Sequence, residues 1–277
     1  MTSTGVAARG HVPLGVAEMQ VKCREIREAT LRASLDRPHH LGGQLSCVEI
    51  LVSILYGHAR TLQATGGADT RFVLSKGHAC ITLYAVLADL GILTEEDLQL
   101  VMRRDGRLLG HPCRTTTPGV DVSTGSLGMG LSVAVGIALG ARMQSRETHV
   151  HVVLGDGEMQ SGQVWEALML MAQLGLDTVH PVIDCNGAQA DGPTGEIVGL
   201  EPLAEKIGAM GLHAVECDGH DLRALQQALA TEVAGRPTVV IARTVKGRGV
   251  PWMEGDNTWH SGSFGAEQLS AALKSLS

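Results

Sequence analysis

At 277 residues the chain is long enough to bury a substantial core, and 44% hydrophobic with 18% charged residues is the composition of an ordinary globular protein. A formal net charge of -7, with no block of lysine or arginine, argues against nucleic acid or an anionic membrane surface as a partner. The six cysteines (Cys23, Cys47, Cys80, Cys113, Cys185 and Cys217) form no C-x-x-C pair, which fits reduced thiols in the cytoplasm rather than disulfides or a zinc site.

The opening stretch, MTSTGVAARGHVPLGVAEM, has no continuous apolar core and so does not read as a signal peptide. Residues 15–35 and 46–57 read as helices, broken by Arg37-Pro38, with Ser46 as an N-cap. RFVL, 71–74, is a short strand opening into SKGH. A helix over 79–90 ends at Gly91, and Thr94-Glu95-Glu96-Asp97 starts another in the manner of a capping box. The polar, Gly/Pro-rich stretch 104–124 is too long for a simple turn, and such segments are often functional. SLGMGLSVAVGIALGA, 126–141, is uncharged but shorter than the roughly 20 apolar residues of a membrane span. It is read as a buried helix, 126–143, in which Gly128, Gly136 and Gly140 would allow close backbone approach.

From residue 150 the order becomes regular. Strands 150–154, 178–184, 212–217 and 237–243 alternate with helices 161–174, 202–210 and 221–232. Alternation of this kind predicts an α/β fold with a mostly parallel sheet sandwiched by helices. Val164, Leu168, Met171 and Leu174 recur at helical spacing and are expected in the core. Ligands of such sheets bind beyond the carboxyl ends of the strands. Two turns fall there: Gly155-Asp156-Gly157 and Asn186-Gly187.

Asp156 offers a charged oxygen, Asn186 a neutral one, and the main chain at Ala188 a third. A hard divalent cation takes oxygen ligands and is typically shared between one or two carboxylates and cofactor phosphates. Glycines beside Asp156 let the backbone approach a phosphate, and the helix that follows can aim its N-terminus at it. On residue types alone a metal–diphosphate site and two plain turns stand equally open.

The arrangement GDG, then 28 residues, then Asn resembles the thiamin-diphosphate fingerprint. RFVLSKGHA, GHP, DVSTGSLGMGLSVAVGIALGARM, GDGEMQSGQVWEA, NGAQADGPT, EPLAEKIGAMG, CDGHD and ARTVKGRGV are similar to transketolases, in the same order, and to the separately encoded N-terminal subunit of split forms. The likeness runs from about residue 15 to 265, and implies that 1–277 is one diphosphate-binding domain. It implies thiamin diphosphate as cofactor, with Mg2+ (or Ca2+) held by Asp156, Asn186 and Ala188. Cofactor contacts are implied at His78, Gly125, Ser126, Leu127, Asp156, Gly157, Glu158, Asn186, Lys246 and His260, the stretch Gly125 to Leu127 facing the aminopyrimidine. His40, His78, His111 and His260 are implied to act on substrate. An imidazole suits that work because its unperturbed pKa, about 6.5, lets it exchange protons with sugar hydroxyls near neutrality.

The implied reaction is ketol transfer: a ketose or ketose-phosphate donor is cleaved between C2 and C3, and the two-carbon unit passes to an aldose. Without the resemblance, Lys246 and Arg248 read as a solvated pair. His11, His39, His58, His149, His151, His180, His213 and His220 keep an ordinary structural reading.

Three positions depart from the family. Ser161 stands where a glutamate usually joins a relay between two active sites, Ala188 is small, and Gly43 replaces a hydroxyl found in some members. These point to a specialised member acting on an unusual sugar or keto donor. The chain stops before a pyrimidine-binding domain with its activating glutamate, so a C-terminal partner subunit is expected, in an α2β2 heterotetramer. The alternatives are another thiamin-diphosphate activity and a non-catalytic subunit. A dinucleotide-binding protein is disfavoured because GSLGMG lacks the G-x-G-x-x-G order.

Overall fold

The computed structural model describes residues 13–58 and 70–276, which leaves His11, the side chain of His58 and the expected absence of a leader outside the described residues. The strands are β1 (Thr70–Leu74), β2 (His149–Gly155), β3 (Val179–Cys185), the two-residue strands β4 (Ala188–Gln189) and β5 (Gly192–Pro193), β6 (His213–Asp218) and β7 (Thr238–Arg243). Five of them form one sheet in the order β1-β2-β3-β7-β6, and β4 and β5 form a separate hairpin. All pairings in the large sheet are parallel. The α/β expectation holds.

Alternation along each strand divides the core. Val153, Val182 and Val240 face one layer, where they pack with Ile26, Ile50, Leu83 and Leu225. Val152, Ile183 and Ile241 face the other, against Leu131, Val135, Val164 and Leu168 of the helices Met129–Met143 and Gly162–Leu174. Each such side chain, fully buried, contributes about 1.5–3 kcal/mol. Val164, Leu168 and Met171 are buried as the spacing predicts, while Leu174, at the helix end, is only partly covered.

Several boundaries differ from the sequence reading. The helix expected over 46–57 is two pieces, Val48–Val52 and a π-helical turn Ser53–His58, and a short helix, Leu41–Leu45, precedes them. The chain bends between Leu41–Leu45 and Val48–Val52, where Ser46, rather than capping the second helix, turns its hydroxyl onto Asp184. The helix expected from 126 begins at Met129, because Gly128 sits at φ 87, and only glycine adopts that region without strain. Gly128 does permit close approach, since a Cβ there would lie 2.7 Å from Ser161 Oγ. Gly136 and Gly140 have nothing within 4 Å of that position among the described residues. The helix read as 221–232 is Leu222–Leu229, its first turn capped by the Asp221 carboxylate. Thr94 and Asp97 form the capping box as read. A C-terminal helix, Ala266–Ser275, was not anticipated; Ala272 and the partly buried Leu269 and Leu273 pack with Leu31, Leu41 and Phe264.

The six cysteines are free thiols. Among the described residues no helix is long and apolar enough to cross a membrane.

Candidate active site

The register aligns the carboxyl ends of the central strands. Gly155 of β2 pairs with Asp184 of β3, and Cys185 of β3 pairs with Arg243 of β7. Residues just beyond these pairs, Asp156, Asn186 and Thr244, therefore leave neighbouring strands side by side. A cavity of about 270 Å3 opens above them. It is lined by His40, His78, His111, Gly125, Leu127, Asp156, Gly157, Glu158, Asn186, Ala188, Lys246 and His260. Of the residues nominated from sequence, Ser126 alone is not part of this wall; it is exposed.

The acid at the floor is held by backbone. Asp156 Oδ1 accepts from Gly157 N at 2.8 Å and Oδ2 from Gly187 N at 2.6 Å, which ties the two turns together. Burial, and then the nearby Asp184 carboxylate, push Asp156 up to about 6. A carboxylate so placed gains from a cation. Asn186 donates its amide to Asp184 at 3.3 Å, and its Oδ1 accepts from Ala188 N at 3.2 Å. Gly157 must lack a side chain, because a Cβ would lie 2.9 Å from Cβ of Gln189.

No cluster of three or more His, Cys, Asp or Glu able to hold a metal occurs among the described residues. A cation at these turns would therefore rest on one carboxylate and neutral oxygens, and would need phosphate oxygens to complete its charge. Gln189 lines the same cavity, and its buried Oε1 has no hydrogen-bond partner among the described residues. A carbonyl oxygen accepts, so it asks for a cation or an N–H or O–H donor rather than a phosphate oxygen. The oxygen donors at the two turns fit a divalent cation shared with a diphosphate.

Beneath the floor lies a charged pair that the sequence reading missed. Lys76 and Asp184, 1% and 0% exposed, form an ion pair. Lys76 Nζ also donates to Gly43 O at 2.7 Å, and Asp184 accepts from Ser46 Oγ at 2.6 Å and from Thr244 Oγ1. Burial alone would neutralise Asp184, yet Lys76 and the two hydroxyls hold it below the usual carboxylate range. This pair joins the helix Leu41–Leu45 to the ends of β1, β3 and β7. Only the position of Asp184, two residues before Asn186, and of Lys76, within SKGH, could have hinted at it.

Three imidazoles face the floor. His40, His78 and His260 come together with ring centroids 5.2, 5.1 and 5.8 Å apart. Burial, then Lys246, push His260 down to about 4. Burial, then Lys76, hold His78 well below the ordinary range, and burial lowers His40 as well. All three are thus neutral at pH 7. His40 Nδ1 lies 3.1 Å from His260 O, which orients its ring. Gly43 packs tightly here: a Cβ would lie 3.1 Å from His78 Nε2, so a larger residue would need that ring to shift by a few tenths of an ångström. His111 is exposed at the mouth, on a loop where Tyr84 Oη donates to Leu109 O at 2.9 Å and His111 O at 3.0 Å.

Lys246 is buried rather than solvated, which corrects the sequence reading. Its Nζ donates to Asn257 Oδ1 at 3.0 Å and Ala188 O at 3.3 Å, and lies 2.9 Å from His260 Nδ1. Burial, then Lys76, lower it to about 8. Arg248, by contrast, is exposed on its side chain. Glu158 lines the cavity while its oxygens serve the framework, accepting from Gly128 N at 2.8 Å, Gly155 N at 3.2 Å and Ser75 Oγ. At the rim Leu127 and Met129 are exposed, as are Met169 and Leu170 on the helix Gly162–Leu174.

The family described as transketolase, thiamine diphosphate binding domain, matches residues 39–277. An apulose-4-phosphate transketolase subunit from Actinobacillus succinogenes is 35% identical over 271 residues, covering 95% of this chain and 97% of that one. A 6-deoxy-6-sulfo-D-fructose transketolase subunit from a Clostridium species is 36% identical over 241 residues, covering 86% and 88%. The transketolase structure from Campylobacter jejuni superposes with a TM-score of 0.85 at 26% identity, covering 95% of this chain but 43% of that enzyme. A turn pair at adjacent strand ends, a matching domain and relatives aligned over nearly their whole length lead to one conclusion: the chain belongs to the transketolase family, through its thiamine diphosphate binding domain.

Proposed function

We propose that this chain is the N-terminal subunit of a split transketolase, moving a two-carbon ketol unit from a ketose or ketose phosphate to an aldose. The observation that carries the reading is the convergence of Asp156, Asn186, Lys246 and three neutral histidines on one cavity at the strand ends. Thiamin diphosphate, when bound, supplies the electron sink for breaking the carbon–carbon bond. Asp156, Asn186 and the main-chain oxygen of Ala188 would hold Mg2+ (or Ca2+), with Gly157, His78 and Lys246 toward the diphosphate and Gly125 to Leu127 toward the ring.

The histidines then have distinct work. A neutral imidazole has one lone pair and one N–H, and each of these rings has one nitrogen already engaged. His40 donates Nδ1–H to His260 O and keeps its Nε2 lone pair for the proton of a sugar hydroxyl, while His260 accepts from Lys246 at Nδ1 and presents Nε2–H as a donor. Their neutrality follows from burial beside two lysines, and that keeps the His40 lone pair available at neutral pH. His111, at the mouth, is placed to meet the far end of a substrate. Asp156 is buried at the floor, while Asn186 is half-buried beside it and open to the cavity. Glu158 acts indirectly, holding the main chain at Gly128 and Gly155.

A partner subunit completes the site in this reading, and the exposed large apolar side chains Leu127, Met129, Met169 and Leu170 are in keeping with that. A cytoplasmic α2β2 assembly is the form we infer. The names of the two relatives, one for apulose-4-phosphate and one for 6-deoxy-6-sulfo-D-fructose, favour a specialised donor, as do Ser161 and Gly43. The test is ketol transfer from a panel of ketose phosphates and pyruvate, with the chain alone and with its partner subunit. Transfer from a ketose only in the presence of the partner is expected. Robust transfer by the chain alone, or transfer from pyruvate alone, would overturn the reading.

A further inference from the structure

A second cavity, about 550 Å3, lies beyond the end of β6, between the helices Val16–Ala33 and Leu222–Leu229. Its size is in the range of small-molecule sites. Its floor is a buried triad. Arg27 Nη2 donates to Glu49 Oε1 at 2.5 Å and Oε2 at 2.6 Å, and His220 Nδ1 is 3.1 Å from Glu49 Oε2.

The charges around this cavity are unevenly used. Every acid on the wall has a partner: Glu49 is taken by Arg27 and His220, Asp218 accepts from His220 N at 2.8 Å, and Asp221 accepts from Arg223 N at 2.8 Å and Ala224 N at 3.3 Å. The guanidinium groups of Arg24 and Arg223 have no hydrogen bond or ion pair among the described residues. Asp218 and Asp221 accept only from backbone N–H groups and keep their charge, so the wall, with four arginines against three carboxylates, carries one net positive charge. The Arg24 and Arg223 guanidiniums are planar donors suited to bidentate capture of phosphate oxygens.

The same cavity touches the back of the segment that carries Lys246. Val245 N donates to His220 Nε2 at 2.8 Å, and Arg27 Nε donates to Arg248 O at 3.0 Å. These two bonds flank Lys246, whose ammonium points into the first cavity. We propose that the β6 cavity is a binding site for a small phosphate-bearing anion, held by Arg24 and Arg223, whose occupancy is felt by the Val245–Arg248 segment. An anion that draws on Arg27 or His220 changes the hydrogen bonds that fix the segment, and coupling of this kind is reciprocal between the two sites.

The experiment is a titration of the full chain, selectively labelled at valine, with inorganic phosphate, following the Val245 amide resonance. A saturable shift at millimolar phosphate is expected. Arg24→Ala/Arg223→Ala, two exposed side chains whose loss leaves the core untouched, should weaken the apparent affinity by at least about tenfold. Lys246→Met should keep the phosphate response. No response in the wild type, a response that survives the arginine double substitution, or one lost in Lys246→Met would each overturn the proposal, the last by placing phosphate in the first cavity.

Discussion

Two groups of three histidines sit at opposite ends of the same strands. At the carboxyl ends, His40, His78 and His260 have centroids 5.1–5.8 Å apart. At the amino ends, His149 and His151 of β2 stack on His180 of β3 at 5.2 and 4.8 Å, with His149 Nδ1 2.9 Å from His180 Nε2. Spacing does not tell the groups apart. Their surroundings do. The first group faces two buried lysines and the Asp156 floor across a cavity, so its rings are held neutral and open to a ligand. In the second, His149 uses both nitrogens within the cluster's own surroundings, Nδ1 on His180 and Nε2 on Glu147 at 3.0 Å. A histidine cluster becomes a site through its cationic neighbours and the space in front of it, and closeness of rings is insufficient.

The hardest way to break this contrast is to remove the floor. Asp156→Ala should leave the fold intact and weaken metal-dependent thiamin diphosphate binding by at least about ten-thousandfold, on the order of 5.5 kcal/mol. Calorimetry on the complex with the partner subunit checks it, and unchanged affinity would refute the clamp. Next is the pair beneath. Lys76→Met leaves Asp184 buried and uncompensated, which should cost about 3–5 kcal/mol in denaturant unfolding. Lys76→Met/Asp184→Leu should recover part of that loss. An additive double substitution would mean that the two charges do not act as a pair.

The neutrality of the first group predicts a pH dependence. His260 is pushed down to about 4, while in the unfolded chain it titrates near 6.5. Between about pH 6.5 and pH 4 the unfolded state binds the extra proton, so stability falls as the pH is lowered through that window. Allowing for partial exposure, His260→Asn should reduce this decline by about 2 kcal/mol, measured as unfolding free energy at both ends of the window. An identical decline in the variant would mean that the ring is not held neutral. The smallest effect is expected outside both groups. Ser161→Glu should change kcat of the assembled enzyme by less than about tenfold, roughly 1.4 kcal/mol, if the missing glutamate is a secondary support. A gain of about a hundredfold or more would show that serine cripples the site.

The strand–helix alternation after residue 150 was legible because its strands are short apolar runs bounded by turns, and β2, β3, β6 and β7 begin and end within a residue or two of the reading. The two turns carrying Asp156 and Asn186 were legible for the same reason. His40, His78 and His260 were not linked by any local pattern; 220 positions separate the first from the last, and resemblance alone put them in one site. Lys76 and Asp184 escaped because a charged residue in a sequence gives no sign of being buried, and 108 positions separate the two. The break near Ser46 escaped because it answers to Asp184, 138 positions on, rather than to local propensity.

The place of β7 has a consequence for how the molecule is made. It is the last strand in the chain but lies between β3 and β6. During synthesis β3 and β6 thus emerge with open edges and no neighbour for each other, and pairing across them waits for residues 238–243. Exposed strand edges are the surfaces through which growing chains aggregate. Thr244 and Lys246 follow directly on β7, so the floor of the first cavity gains its closing partners only when that late strand docks. A nascent chain released before this point would carry the Asp156 and Asn186 turns without the strand that holds their surroundings in place, and long-range closure of this kind sets a slow step in folding.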